Sequence, residues 1–409
     1  MINSGDTAFV LISAALVMLM TPGLAFFYGG MVRRKNILGI LMQCFIILCV
    51  ISIEWVLYGY SLSFAPGTGF WGGLQWFGLN GVGFEPYADY AATIPHQAFM
   101  IYQAMFAIIT PALIIGAFAE RMKFPAFLLF TILWATFVYN PVCHWVWGIG
   151  GWFRNMGALD FAGGTVVHIS AGAAALVTAV LIGRRKNIEH NMPTPHNLPF
   201  IVLGTGLLWF GWFGFNAGSA LSANGLAVNA FVVTNTSAAA AGLSWAVIEW
   251  LKNGKPTIFG TASGIVAGLV AITPAAGFVN VISAIIIGIL VSVLCFIAVS
   301  IIKPMLKYDD SLDVFGVHCV GGIWGSLAVG LFASKAVNSN GADGLFFGNP
   351  RQLLTQAITV LVTILYSCVL TVIIYKVVDL LVGMRVSEEE ELIGLDLTQH
   401  HERAYTILE

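Results

Sequence analysis

Two histidines stand where a polar side chain is expensive. His168 follows Gly163-Gly164-Thr165-Val166-Val167, and His318 follows Val314-Phe315-Gly316-Val317, both inside long apolar runs. An aspartate precedes each by eight residues, Asp160 and Asp310. Small residues follow each: Ser170-Ala171-Gly172-Ala173-Ala174 in one case, Gly321-Gly322 and Gly325-Ser326 in the other. Imidazole titrates near neutrality and can donate at one ring nitrogen while accepting at the other. Two such rings can share one proton and present a fixed donor and acceptor to a small polar solute. In a soluble core a histidine is an ordinary satisfied side chain, but inside a membrane a polar group faces a cavity or a partner. Three readings stand: a shared functional pair, two separate structural histidines, or a bis-histidine haem or metal site. No third ligand of carboxylate or thiolate type has suitable spacing, although Cys319 adjoins His318, so neither a metal nor a cofactor is expected.

Other residues fall at related depths. Asp160 precedes a helix start, where it can cap orphan N–H groups and can also supply field for an approaching cation. Glu54, inside the second apolar run, reads either as a hydrogen-bonded or protonated packing residue or as part of a solvated pathway. Tyr102 and Phe106 share a helix face at i, i+4, as do Phe215 and Ser219. Trp147 closes the fourth apolar run. An aromatic face attracts a cation by about 0.5–2 kcal/mol, so a cage of such rings with one hydroxyl would select a small, weakly hydrated cation. For any single ring, core packing or interfacial anchoring is the plainer reading.

The elements that must hold these residues are membrane helices. The 409 residues are 58% hydrophobic and 9% charged, with mean hydropathy +0.87, far below the roughly 25% charge of a water-soluble domain. The natural solvent is a lipid bilayer. The net charge of -2 offers nothing to nucleic acid, the 45 glycines suit close helix packing, and the six cysteines form no disulfide framework. Apolar runs at 8–30, 38–64, 97–119, 124–147, 163–183, 198–220, 226–250, 257–275, 279–302, 314–334 and 352–384 are each long enough to cross about 30 Å of hydrocarbon. The last exceeds what is needed and is expected to tilt or protrude. The runs are too long for membrane strands. The fold expected is an all-α polytopic membrane protein of about eleven helices.

Orientation follows from Lys and Arg. With the N-terminus outside, all 18 fall on the inner side except Arg154, Lys335 and Arg351. The first run lacks a preceding basic region and is expected to be a retained helix rather than a cleaved signal. The long loop 65–96 is external, and the C-terminus is cytoplasmic. Beyond Val386 the chain turns polar, with Glu388-Glu389-Glu390-Glu391 and then Gly394-Leu395-Asp396, either a solvated segment or a docking one. His168 and His318 lie in the fifth and tenth runs, which the charge pattern makes antiparallel. That predicts a five-plus-five inverted repeat, about 8–183 and 198–334, plus one C-terminal helix at 352–384, with a substrate site near the midplane. One transmembrane domain, 1–385, and a tail, 386–409, result. No Walker pattern is present, so energy must come from a gradient.

Four motifs then carry a family resemblance over nearly the whole chain: Pro22-Gly23-Leu24-Ala25-Phe26-Phe27-Tyr28-Gly29-Gly30, Gly157-Ala158-Leu159-Asp160-Phe161-Ala162-Gly163-Gly164-Thr165-Val166-Val167-His168, Gly211-Trp212-Phe213-Gly214-Phe215-Asn216-Ala217-Gly218-Ser219 and Asp313-Val314-Phe315-Gly316-Val317-His318. The chain resembles the ammonium transporters of the Amt/Rh superfamily, the bacterial Amt branch more than the Rh branch. The resemblance implies a non-enzymatic homotrimer in the cell membrane with one pore per subunit. It implies that His168 and His318 are paired pore histidines, Phe106 and Phe215 a stacked phenyl gate, and Trp147 and Ser219 an outer ammonium site with Asp160 near it. Tyr102 takes a cage position often held by phenylalanine. Gly394, Leu395 and Asp396 match a tail segment on the inner face, where PII-type signal proteins block the pore in this family; this favours docking over a merely solvated tail. Glu54 matches nothing in the family's site. Ammonium would bind outside, lose its proton near Asp160 and pass the histidines as ammonia, with or without the proton; an ammonium sensor on the same fold is the alternative.

Overall fold

A backbone in hydrocarbon must satisfy its own N–H and C=O groups, which leaves long helices as the available solution here. The computed structural model describes residues 1–186 and 194–405, and no strand occurs among them beyond isolated bridges at Gly67–Gly72 and Met122–Arg385. The membrane helices are α1 (Ser4–Met31), α2 (Arg34–Phe64), α3 (His96–Phe118), α4 (Phe124–Met156), α5 (Gly164–Ile182), α6 (Leu198–Ala220), α7 (Gly225–Asn253), α8 (Ile258–Ile272), α9 (Val281–Leu306), α10 (Phe315–Phe332) and α11 (Pro350–Val382). Ten are long and apolar enough to cross a bilayer; α8 is apolar but has 15 residues, about 22 Å. It is shorter than its apolar run because Pro274 follows. The Pro274 carbonyl accepts from Phe161 N at 3.1 Å, and its ring packs against Gly164 at the start of α5.

The two faces of the bundle are distinct. Asn3 N donates to Thr93 O at 2.8 Å, and Asp6 Oδ1 accepts from Ala223 N at 2.8 Å. The N-terminus thus shares a face with the long loop before α3. Between the faces, α1 and α6 pack along their lengths. A side chain on Gly204 would bring its Cβ to 2.3 Å from Phe27 N, so only glycine allows this approach. The α11 helix reverses the soluble pattern. Much of its inward stripe is polar (Gln352, Gln356, Thr359, Thr363, Ser367, Thr371), while Leu354, Leu361, Leu365, Val369 and Ile373 are exposed on the outer side of the bundle. Gln356 clamps one residue of the 157–160 segment, accepting from Leu159 N at 2.9 Å and donating to Leu159 O at 2.8 Å.

The opposite face carries a buried ionic clasp drawn from four inter-helix turns. Glu120 accepts from Arg33 N at 2.7 Å and pairs with the Arg185 guanidinium at 3.2 Å. Asp309 pairs with Arg121 at 3.0 Å and with Arg185 at 2.9 Å. Burial alone would raise the Asp309 carboxyl, but the two guanidinium groups outweigh it and hold it down at about 2. The tail closes over this face as α12 (Glu388–Ile393) and α13 (Leu395–His400). Of the acidic run, Ser387 and Glu390 form a capping box, and the buried Glu391 accepts from Lys186 N at 2.6 Å and Arg385 Nη2 at 2.8 Å.

Two outcomes follow. Asp309→Asn should lower stability by about 3–5 kcal/mol at neutral pH, since it removes the carboxylate that pairs buried Arg121 and one of the two that pair Arg185. Because the folded carboxyl lies below its unfolded value near 3.9, the stabilisation is present above about pH 4 and is lost as pH falls through about 2; the gap between wild type and variant in detergent unfolding should close over that window. Gln356→Leu should cost about 1–3 kcal/mol by leaving Leu159 N–H and C=O unpaired, read as faster amide exchange at Leu159.

Candidate functional site

The first N–H groups of a helix have no partner in the helix. At the start of α5, Asp160 supplies one: Oδ1 accepts from Gly163 N and Gly164 N, both at 2.7 Å, and Oδ2 from Thr165 N at 2.7 Å and Val166 N at 3.3 Å. Gly163 makes the turn possible at φ +114°, a region closed to side chains. At the start of α10, on the other face, Asp310 Oδ2 accepts from Phe315 N at 2.7 Å. Both helices then open with a π turn, Gly164–Ile169 and Phe315–Cys319, and each turn contains its histidine. Such turns recur at functional sites. The two helices run in opposite directions and cross closely. A Cβ on Gly172 would lie 2.5 Å from Cys319 N, and one on Gly322 would lie 3.0 Å from Gly164 O. The small residues after each histidine are what let the helices meet.

Where they meet, His168 Nδ1 and His318 Nδ1 lie 3.3 Å apart, with the rings near parallel at 22°. One ring must donate and the other accept, so the pair holds complementary tautomers. Among the described residues no cluster of three His, Cys, Asp or Glu could hold a metal. His168 stacks on Trp212, with centroids 5.5 Å apart. Trp212 lies one helical turn from Phe215, in the motif already singled out, and its role was not foreseen. On either side of His318 lie two narrow spaces of about 10 Å³, each about the size of one water. One is lined by Trp212, Phe215 and Val266, the other by Tyr28, Ser263 and Val317.

Wider cavities flank this line. On the long-loop face, a cavity of about 230 Å³ is walled by Phe106, Trp147, Asp160, Ser219 and Gln103. The amide oxygen of Gln103 is buried and has no hydrogen-bond partner among the described residues; its i, i+3 spacing to Phe106 was its only sequence signal. The floor is the Phe106–Phe215 pair, centroids 4.3 Å apart and both rings buried. Trp147 meets Phe106 edge-on at 5.8 Å and donates from Nε1 to Asp160 O at 2.8 Å. On the ionic face a cavity of about 1040 Å³ opens beside Lys303, Lys307 and Asp313.

The remaining expected residues sort by contact. Tyr102 is buried, and its hydroxyl lies 2.9 Å from Gly214 O, 2.8 Å from Phe215 O and 3.2 Å from Ser219 Oγ. It is tied to the α6 backbone and does not line the cavity on the long-loop face. Glu54 Oε1 accepts from Asn140 Nδ2 at 2.8 Å, between α2 and α4 and away from both cavities. In the tail, Leu395 N donates to Asn36 Oδ1 at 2.8 Å, and Asp396 Oδ1 accepts from Gly39 N at 2.9 Å. Gly394 holds φ +117° with its Cα against Lys35. These three residues lie on the ionic face, apart from the histidine line.

Known proteins match this arrangement. The Ammonium Transporter Family profile matches residues 8–405. An ammonium transporter of Bacillus subtilis (strain 168) is 55% identical over 401 residues, covering 98% of each chain. The crystal structure of Mep2 from Candida albicans superposes with a TM-score of 0.90 at 37% identity, covering 98% of this chain and 90% of that one. A structure named a Sensor Amt Protein superposes at 0.88 with 30% identity, covering 97% of this chain and 98% of that one. The chain belongs to the ammonium transporter family, whose members are transporters and not enzymes.

Proposed function

We propose that the protein recruits ammonium in the aromatic cavity, removes its proton there, and conducts ammonia past the paired histidines to the ionic face. The observation that carries this reading is the buried Nδ1–Nδ1 contact of His168 and His318, set in a water-narrow line between two wide cavities. A bare ammonium ion in such a line would lose its hydration with no charge to replace it, whereas neutral ammonia is water-sized and can use the imidazole donor and acceptor. Selection therefore belongs to the outer cavity. The faces of Phe106 and Trp147 attract the cation, and Ser219 offers a lone pair, its own proton directed to Phe215 O at 2.9 Å. Tyr102 acts from behind by fixing Ser219 and the α6 backbone. The stacked Phe106 and Phe215 strip water, and deprotonation accompanies passage because the charged form is disfavoured beyond them. The Asp160 carboxylate already accepts four N–H bonds, so it serves as a fixed negative field; the proton goes to cavity water. A proton that follows through the histidines makes transport electrogenic, and one left behind makes it neutral.

The same reading orients the molecule. The ionic face, rich in Arg and Lys, is cytoplasmic; the N-terminus and long loop are outside; and the setting is the cell membrane. The transmembrane unit, 1–385, is an inverted repeat of about 8–183 and 198–334 with the extra helix 352–384. The matched capped π turns of α5 and α10 support it. The tail, 386–409, of which 406–409 lie outside the described residues, is a regulatory segment. Its latch of Gly394, Leu395 and Asp396 on the α1–α2 turn would respond to a PII-type protein. A homotrimer with one pore per subunit completes the reading. The likeness to a Sensor Amt Protein favours one second reading, a sensor that binds ammonium with little flux.

Current recording on the purified protein in liposomes, with ammonium and with potassium, separates these readings. Wild type should pass ammonium-evoked flux and exclude potassium. His168→Leu and His318→Leu should each reduce the current or relax its selectivity; unchanged current and selectivity in both would end the relay role, and absent flux with retained binding would favour the sensor. Trp147→Leu should raise the half-saturating ammonium concentration by about 2- to 30-fold, the loss of one cation–π contact, with the maximal rate less affected.

A further inference from the structure

The outer cavity carries a permanent cation in its wall. Arg154 lies in the short turn Trp152–Met156, is exposed, and lines the same cavity as Phe106, Trp147 and Ser219. Its Nη1 donates to Trp147 O at 2.7 Å, and its guanidinium carbon lies 5.8 Å from the centroid of the Tyr90 ring. That ring is built into place. The Tyr90 hydroxyl donates to Phe64 O at 2.5 Å and accepts from Ile149 N at 2.9 Å, while the ring stacks on Phe99 with centroids 4.9 Å apart and planes at 11°. A rigid aromatic face at the rim of a cavity is a seat for a cation, and this chain fills the seat with its own. An arginine stays charged at every physiological pH.

We propose that Arg154 sets the affinity of the transporter: it is a tethered cation that occupies the Tyr90 seat and raises the ammonium concentration needed to fill the cage below. The inference rests on the ammonium reading given above. A unit charge in the mouth of the cavity lowers the local concentration of soluble cations by a few-fold, and added salt screens this over about 8–10 Å. Asp89, which lines the same cavity, opposes it in part; Asp160 lies deeper, its oxygens covered by backbone N–H groups. Because Arg154 also anchors the Trp147 carbonyl, charge and anchoring must be separated.

The test uses the full-length protein in liposomes, with ammonium transport followed against concentration at low and at physiological ionic strength. Arg154→Gln removes the charge but retains an amide donor, and Arg154→Lys keeps the charge but loses the planar fork. In Arg154→Gln the half-saturating concentration should fall about three- to tenfold at low salt, the gap to wild type should shrink as salt rises, and the maximal rate should hold. Arg154→Lys should stay close to wild type. An unchanged or raised half-saturation in Arg154→Gln, a shift indifferent to salt, or the same shift in Arg154→Lys would overturn the proposal while leaving ammonium transport standing. A wild type with no ammonium transport would remove both.

Discussion

A buried N–H group without an acceptor costs several kcal/mol, and the first N–H groups of α5 and α10 have no carbonyl of their own helix to take them. Asp160 and Asp310 resolve the conflict by receiving the first backbone N–H groups of α5 and α10. With those groups satisfied, each helix can begin below the surface and open in a π turn. The π turn carries the histidine, and the small residues after it let the two helices close to contact. The pairing of His168 with His318 is therefore a consequence of two carboxylates that touch neither imidazole. A substitution at either aspartate acts first on backbone geometry and only through it on the histidine pair.

Rigid support comes from two polar systems at the edges of the bundle. On the lipid side, α11 turns a stripe of Gln, Thr and Ser inward, and Gln356 holds Leu159 by both backbone groups, next to the residue that caps α5. At the ionic face, Glu120 and Asp309 bind arginines from three turns, one of them Glu120's own. Glu120 adopts φ +72° there, a conformation unfavourable for a side-chain residue, and its ion pairs hold it. The tail seats itself on the same face through Asn36 and Gly39. The tail also reaches the start of α4, where Gln399 Oε1 accepts from Phe124 N at 3.1 Å.

Wide, narrow and wide is the order of free space along the path. Under the proposed reading, such a profile sorts by charge and by size in separate places. The cavity on the long-loop face has aromatic faces and a hydroxyl suited to a cation, and the narrow line has imidazoles suited to a neutral hydrogen-bonding solute. Between them, two phenyl rings in contact leave no room for a hydrated ion. Glu54 stays outside this division, because its contact is Asn140 in the packing of α2 on α4.

The sequence by itself determined the number and placement of the membrane helices, since bilayer thickness imposes a length that hydropathy reveals. It also determined which face is basic, since Arg33, Arg121, Arg185 and Lys303 recur at alternate turns. The D-x7-H spacing was enough to single out Asp160, His168, Asp310 and His318, and the alternation of Lys and Arg anticipated that their helices are antiparallel. It did not reveal the π turns, which depend on side-chain caps rather than on periodicity, nor the shortness of α8, which follows from the docking of Pro274 on Gly164. Only the tertiary structure decided that the two imidazoles meet through Nδ1, that Trp212 stacks behind His168, and that the Tyr102 hydroxyl turns away from the cavity. It also decided that the acidic tail folds onto the ionic face and that Arg154 sits over Tyr90. These are contacts between residues far apart in the chain, and their direction is set by packing, which no local pattern of polarity encodes.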